Sequence, residues 1–347
     1  MNMKENSKKP SIDDIARSLG VSKTLVSMVI NNKTEKYGIS EKTRKKVEDK
    51  IAEMGFMPNK AARRLRTGKS FLIGVIVPDI SNPFYSKIVR IIEDKAQLDG
   101  YNPMICSSDE DSEKEISLIK MLVDSQQVDG LILSSTLEKA DELDFLRKRN
   151  FPCVLIDRSL PEANLPTVSV DNEQGAFAAT ETLIKSGCKH IALFAISPGY
   201  ISTIEERKKG YLKAIQQYKL SSDKKMIVEI PYNDIKNAVY ENLDGLLKKK
   251  TGKLDGLFAG NNNIALACME YFIEHKIKVP EQLKFVSFDD IDVFRFSSPT
   301  ISAVEQPVEE IGSWSFKVLK ELLENGNNLQ NPAKISLPTR FIKRKSS

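Results

Sequence analysis

The rhythm of apolar and polar positions changes near residue 70. Before it, apolar residues recur at helical spacing. Ile12, Ile15, Ala16 and Leu19 make one stripe, Leu25, Val26, Val29 and Ile30 a second, and Val47, Ile51 and Met54 a third. Serines stand at three N-cap positions: Ser11, with Asp14 three places on, Ser22 and Ser40. Gly20, the run Asn31-Asn32-Lys33 and Gly55 stand where the helices should stop. Two short helices joined by a glycine-containing turn predict a helix-turn-helix, whose second helix lies in the major groove of DNA. Its leading residues are Lys23 and Thr24, with Ser27 and Met28 one turn later.

After Phe71, short apolar runs alternate with longer amphipathic ones, the pattern of parallel sheets covered by helices. Strands are predicted at 71–77, 104–107, 130–133, 154–156 and 168–170, and in a second group at 191–195, 226–230, 256–259 and 285–288. Helices are predicted between them, at 84–98, 173–186, 205–218 and 264–275. The two groups separate near Asp171 and predict two lobes, each a doubly wound sheet. The expected fold is therefore an all-α helix-turn-helix head joined to a two-lobed α/β sensor.

The join is the stretch from Pro58 to Gly68. Proline suits the first turn of a helix and glycine the position after its end. A helix this short is marginal in water without a partner. Lys60, Arg63, Arg64 and Arg66 surround Leu65, with Ala61 and Ala62 on the neighbouring turn. That composition suits a helix that folds against nucleic acid, arginines on phosphates and leucine as a wedge between base steps. It equally suits a basic, solvated linker. The expected divisions are a head at 1–57, a hinge at 58–69 and a sensor at 70–347.

Charge agrees with the split. Residues 1–70 hold 17 Lys and Arg against 8 Asp and Glu, a balance of +9, and the rest hold 35 against 39, a balance of −4. The front end thus favours a polyanion over a purely protein-binding three-helix bundle. No apolar core of a secretory signal is read in the first residues, and no run approaches the ~18 apolar residues of a membrane span. A cytoplasmic protein without membrane contact is expected. Cys106, Cys153, Cys188 and Cys268 lie far apart, and neither His190 nor His275 stands at ligand spacing from them, so four buried reduced thiols and no metal or other cofactor are expected.

In open parallel sheets ligands sit beyond the carboxyl ends of strands. Asp79, Asn82, Phe84 and Tyr85 follow the first predicted strand, and Asp157 and Arg158 the fourth. Arg207, Asn261-Asn262-Asn263 and Asp289-Asp290 follow strands of the second group. Carboxylates and amides, a planar guanidinium and an aromatic face suit a polyhydroxylated ring. They suit a purine nearly as well, and Asn and Asp after strands also serve simply as caps and turns. The sequence carries no phosphate-cradling Gly-x-x-x-x-Gly-Lys-Ser/Thr, no Gly-x-Ser-x-Gly turn and no metal-ligand cluster. An enzyme is therefore not expected, and a plain sugar-binding protein would not need the basic head.

The run Ile12-Asp13-Asp14-Ile15-Ala16-Arg17-Ser18-Leu19-Gly20-Val21-Ser22, with Val26-Ser27, Asn31-Asn32 and Gly55-Phe56-Met57-Pro58-Asn59, resembles the LacI/GalR family of bacterial transcription regulators. The likeness continues through Ala62-Arg63-Arg64-Leu65-Arg66-Thr67-Gly68-Lys69 and from Ile73 to Phe84, and covers essentially the whole chain. It implies a sensor like periplasmic sugar-binding proteins, with three chain crossings between lobes, so that a helix from Val308 to Glu324 returns to the first lobe. It implies a homodimer on operator DNA, a small-molecule effector, most naturally a sugar, and a hinge helix ordered on DNA with Leu65 in the minor groove. The implied DNA contacts are Ser22, Lys23, Thr24, Ser27, Met28 and Asn31 in the head, and Asn59, Ala62, Arg63 and Leu65 in the hinge. The implied effector contacts are Phe84, Tyr85, Asp157, Arg207, Asn261, Asp289 and Gln306, with Asp79 added by its place after the first strand. Three positions depart from the family pattern: Leu25 replaces a usual threonine, Met28 a usual arginine and Asn262 a usual aspartate.

Overall fold

The computed structural model describes residues 10–30, 34, 37–56, 67–221, 224–248, 253–326 and 332–347. Asn31 and the hinge candidates Asn59, Ala62, Arg63 and Leu65 lie outside the described residues. The chain divides into two compact units, 1–70 and 71–347. No helix among the described residues is long and apolar enough to cross a membrane.

In the first unit three helices pack on one small core: α1 (Ile12–Leu19), α2 (Lys23–Ile30) and α3 (Glu41–Glu53). Ser11 and Asp14 form a reciprocal capping box at the start of α1. Gly20, at φ +65°, ends that helix with its N–H on the carbonyls of Ala16 and Arg17, a left-handed turn that glycine adopts without strain. Ser22 Oγ accepts from Leu25 N at 3.2 Å, and Ser40 Oγ from Thr43 N at 3.3 Å. Ile15, Ala16, Val26, Val29 and Val47 are buried, joined by Phe56, while Ile12, Leu19, Leu25, Ile30, Ile51 and Met54 pack around them half-buried.

The second unit holds two six-stranded sheets. Strands β1 (Leu72–Val77), β2 (Asn102–Ser107), β3 (Gly130–Leu133), β4 (Cys153–Ile156) and β5 (Thr167–Val170) belong to the first. They are joined through α4 (Pro83–Leu98), α5 (Ser112–Lys120) and the short α6 (Asp144–Lys148). Then α7 (Asn172–Lys185) leads into the second lobe, with β6 (Ile191–Ser197), α8 (Ser202–Gln217), β7 (Ile227–Pro231), α9 (Ile235–Leu247) and β8 (Gly256–Ala259). It continues with α10 (Asn262–Glu274), β9 (Lys284–Phe288), α11 (Val293–Phe296) and β10 (Ser302–Glu305). Finally α12 (Val308–Asn325) returns to the first lobe, β11 (Lys334–Leu337) joins that lobe's sheet, and β12 (Arg340–Ile342) joins the other. The strand orders are β11-β5-β4-β3-β1-β2 and β12-β10-β9-β8-β6-β7. All pairings are parallel except β10 with β12.

Three crossings between lobes result, after β5, β10 and β11, and the two sheets repeat one plan. Alternation along β1 explains the layering: Ile73, Val75 and Val77 enter the core beneath α4 and α12, and Ile76 the one on the opposite face. The predicted strands and helices are present, with ends differing by up to three residues. Helix α8 starts at Ser202 rather than Glu205; its N-cap, Ile201, has no side-chain capping bond, so no local capping signal marks the start. Strands β10, β11 and β12 were not predicted; their segments, Ser-Ala-Val-Glu, Lys-Ile-Ser-Leu and Arg-Phe-Ile, are short and carry polar residues that break the apolar run. Strands β11 and β12 form sheet edges in the two lobes in turn. The expectation of four buried thiols needs one correction: Cys106 is only half-buried, because β2 is an edge strand with one open face, whereas Cys153, Cys188 and Cys268 are buried.

Helices α7 and α8 approach backbone to backbone. A Cβ on Gly210 would lie 2.1 Å from the Glu173 carbonyl oxygen and 2.9 Å from Ala176 Cβ. Backbone cannot give way as a side-chain tip can, so Gly210→Ala is expected to destabilise the sensor by about 3 kcal/mol. Urea unfolding measures it, and a loss below about 1 kcal/mol would mean that the two helices can slide apart.

Candidate functional site

Between the two lobes lies a cleft of about 40 Å³, lined by the ends of strands from both sheets. That is room for about three waters. The cleft brings together all eight sensor candidates: Asp79, Phe84, Tyr85 and Asp157 from the first lobe, and Arg207, Asn261, Asp289 and Gln306 from the second lobe and its crossing.

Corresponding strands β4 and β9 each end in an aspartate with left-handed backbone, Asp157 at φ +62° and Asp289 at φ +68°. Such positions are costly for residues other than glycine and gather at functional sites. At Asp157 the chain makes a γ-turn, Arg158 N donating to Ile156 O at 2.6 Å. Asp157 Oδ2 accepts from Tyr85 Oη at 2.8 Å. Burial drives the Asp157 carboxyl above its usual range, against the pull of Arg207 and Arg158. Burial likewise raises the Tyr85 phenol well above its ordinary value. Asp289 Oδ1 accepts from Gln306 Nε2 at 2.6 Å. The neighbouring Asp290 points away, in a two-pronged ion pair with Arg344 at 2.8 and 2.7 Å.

Arg207 is buried on the cleft wall. Its Nε donates to Asn172 Oδ1 at 2.9 Å, its Nη1 to the Gly260 carbonyl at 2.8 Å, and its guanidinium lies 3.7 Å from the centre of the Phe288 ring. Asn261 and Asp79 have structural duties as well. Asn261 Oδ1 caps α10 through Ile264 N at 2.9 Å, and Asp79 Oδ1 accepts from Ser81 N and Oγ at 2.8 and 2.6 Å.

The cleft also contains Arg158 and Asn82, which the strand-end rule named, and Glu110 and Tyr232, which it did not. Arg158 gives both terminal nitrogens to Glu110 at 2.7 and 2.6 Å, nearly out of water. Tyr232, at the end of β7, faces Asp79, and burial and then that carboxylate push its phenol up to about 12. Glu110 and Tyr232 both follow strands, so the same rule applied to β2 and β7 finds them. Asn82 and Asn262 face each other across the lobes and exchange amide hydrogen bonds of 3.2 and 2.9 Å. Ser159 N on Ser202 Oγ at 2.8 Å and Tyr200 Oη on Thr136 O at 3.2 Å also bridge the lobes.

In the head, Ser22, Lys23 and Thr24 are exposed at the start of α2, and Ser27 and Met28 are half-buried one turn on. Lys23 pairs with Asp13 at 2.5 Å, an exposed pair that water screens.

A helix-turn-helix unit and a two-lobed α/β unit in one chain define the class of DNA-binding regulators with a binding-protein-like second domain. The model of bacterial regulatory proteins of the lacI family matches residues 11–59, and that of the periplasmic binding protein-like domain matches residues 180–347. The chain belongs to the LacI family of transcriptional regulators. It is 32% identical to the HTH-type transcriptional regulator RegA of Clostridium saccharobutylicum, over 97% of this chain and 99% of that protein. It is 30% identical to the ribose operon repressor of Halalkalibacterium halodurans, over 97% of each. Among solved structures, the transcriptional regulator CelR in complex with cellobiose is similar at TM-score 0.70 and 26% identity, covering 97% of this chain and 100% of that one. These relatives are regulators rather than enzymes.

Behind the cleft, Glu115 is wholly buried and takes three hydrogen bonds: from Ser135 Oγ at 2.7 Å, and from Thr136 N and Oγ1 at 2.6 Å each. It thereby ties down the turn after β3, whose Ser134 Oγ lies 3.4 Å from Tyr85 Oη. Burial raises the Glu115 carboxyl, the three donors pulling it back. With the folded pKa above the unfolded one, the native state binds more protons between the two values, so stability falls as pH rises through that window. Glu115→Gln is expected to remove this slope, measured as the pH dependence of unfolding free energy against the parent. An unchanged slope would show that Glu115 titrates alike in both states.

Proposed function

We propose that this chain represses carbohydrate-use genes as a homodimer on a near-palindromic operator in the bacterial cytoplasm, and that a sugar bound between its lobes changes its affinity for DNA. Residues 1–57 form the DNA-binding head, 58–69 the hinge and 70–347 the effector-binding and dimerisation domain. Convergence of the eight candidate residues, from six separate stretches of chain, on one cleft in a chain that also carries a helix-turn-helix supports this assignment. The names of the similar ribose operon repressor and of the regulator in complex with cellobiose point the same way.

Each head docks α2 in a half-site, with Ser22, Lys23, Thr24, Ser27, Met28 and Asn31 toward bases and nearby phosphates. Asn59, Ala62, Arg63 and Leu65 engage the centre of the site, Leu65 as the wedge. In the sensor, Asp79, Asp157, Asp289, Asn261 and Gln306 meet hydroxyls, Arg207 supplies a planar donor edge, and Phe84 and Tyr85 pack on the apolar face of the ring. Ligand binding resets the closure of the lobes and so the spacing of the paired hinges, a coupling of about 1–3 kcal/mol, or roughly 5- to 150-fold in DNA affinity.

Operator fragments selected from random DNA by the full-length protein provide the test. Arg207→Ala is expected to keep operator affinity and lose the response to sugar; a normal response would move the effector site elsewhere. Leu65→Ser is expected to weaken specific binding by at least about 1.4 kcal/mol, tenfold, and to spare non-specific binding, because it removes the wedge and no charge. Equal losses on both DNAs in titrations at fixed salt would exclude the wedge.

A further inference from the structure

Five buried side-chain polar atoms have no hydrogen-bond partner among the described residues, and three of them line the cleft: Asp157 Oδ1, Gln306 Oε1 and Arg158 Nε. Native interiors seldom leave such atoms alone. Their orientation is fixed by what their other ends do. Asp157 Oδ2 is taken by Tyr85, and Gln306 Nε2 by Asp289, so an acceptor oxygen is left over on each. Arg158 Nε lies 3.9 Å from Asp157 Oδ2, beyond hydrogen-bond reach. A hydroxyl, donor and acceptor at once, supplies what each of Arg158 Nε and Asp157 Oδ1 lacks.

The charge of the cleft is already committed. Both terminal nitrogens of Arg158 are held by Glu110, and Arg207 spends Nε and Nη1 on Asn172 and the Gly260 carbonyl. Arg158 thus has no free terminal nitrogen, and Arg207 keeps only Nη2 free of the bonds to Asn172 and Gly260, where a phosphate or carboxylate is usually held two-pronged. Four carboxyl groups, on Asp79, Glu110, Asp157 and Asp289, line the cleft against two guanidinium groups. An anion entering here loses its water shell and gains repulsion.

We infer that the effector is a polyol, uncharged or amine-bearing, that offers at least two O–H or N–H donors to Asp157 and Gln306, and that phosphorylated and acidic sugars are rejected. This rests on the cleft being the effector site, and goes beyond it by naming the ligand's charge class.

Calorimetric titration of the full-length protein tests it with pentoses, hexoses, their disaccharides and cyclitols, each beside its phosphate, its acid and its amino derivative. The expected binder is a neutral or amine-bearing member whose phosphate and acid bind at least about 100-fold more weakly. Asp157→Asn is expected to weaken that binder, most strongly if it carries an amine, which separates the two sources of donors. Glu110→Gln, which releases the guanidinium of Arg158, is expected to recover about tenfold of the affinity for the phosphate. A phosphate or acid that binds as well as its parent overturns the inference and leaves the cleft assignment standing. A panel in which no neutral or amine-bearing member binds also overturns it. A neutral binder unaffected by both Asp157→Asn and Arg207→Ala overturns the cleft assignment itself, and this inference with it.

Discussion

Two guanidinium groups are held out of water between the lobes, and each has to meet a partner there or cost several kcal/mol. Arg158 meets Glu110 two-pronged; Arg207 meets Asn172, the Gly260 carbonyl and the face of Phe288. The partners come from different strand ends and helix starts, so the sheets must be assembled in their observed order before the charges are satisfied. Close packing serves the same end. Gly210 lies one helical turn after Arg207, and its missing side chain lets α8 approach the start of α7, where Asn172 stands. A single constraint, burial of charge with compensation, thus links the sheet order, the helix contact and the cleft.

The two lobes are built on one plan and tied by three crossings, which allows them to turn against each other without breaking either sheet. The contacts across the cleft are modest: among the described residues they include the Asn82–Asn262 amide pair, Ser159 on Ser202, Tyr200 on Thr136, Tyr232 facing Asp79 and the exposed Lys87–Asp292 ion pair. Each such hydrogen bond contributes about 1 kcal/mol net, because water would otherwise take its place. A ligand that prefers one closure by a few kcal/mol therefore suffices to shift it. Compact lobes with weak contacts between them leave their relative closure open to a small energetic bias. Asn262 is the position that departs from the family's usual aspartate, and here its amide is what allows the reciprocal pairing with Asn82.

The helices of the head and most of the strands were legible because caps and periodicity are local. Ser11 with Asp14, Gly20 and Ser40 each act on backbone groups within four residues, so their spacing alone reveals them. The rule that ligands sit beyond strand ends reached Asp157, Arg207 and Asp289 without knowledge of the sheet order. Glu110 and Tyr232 follow β2 and β7, which were predicted, but only the sheet order shows that these edge strands border the cleft. The rule also could not tell that Asn261 and Asp79 divide their side chains between the cleft and a cap or turn.

The sequence by itself determined the division into a basic helical head and an α/β sensor, the membership of the family and most of the residues that meet in the cleft, because these follow from composition, short-range periodicity and motif. Only the tertiary structure decided which charges cancel. Glu110 and Arg158 are 48 residues apart, Asn82 and Asn262 are 180 apart, and Ser346 is bound to Phe285 across the last sheet edge. Pairings at that range depend on the order in which strands lie side by side, which no local pattern encodes. The cleft's surplus of acceptors, and the kind of ligand it admits, is a property of those pairings.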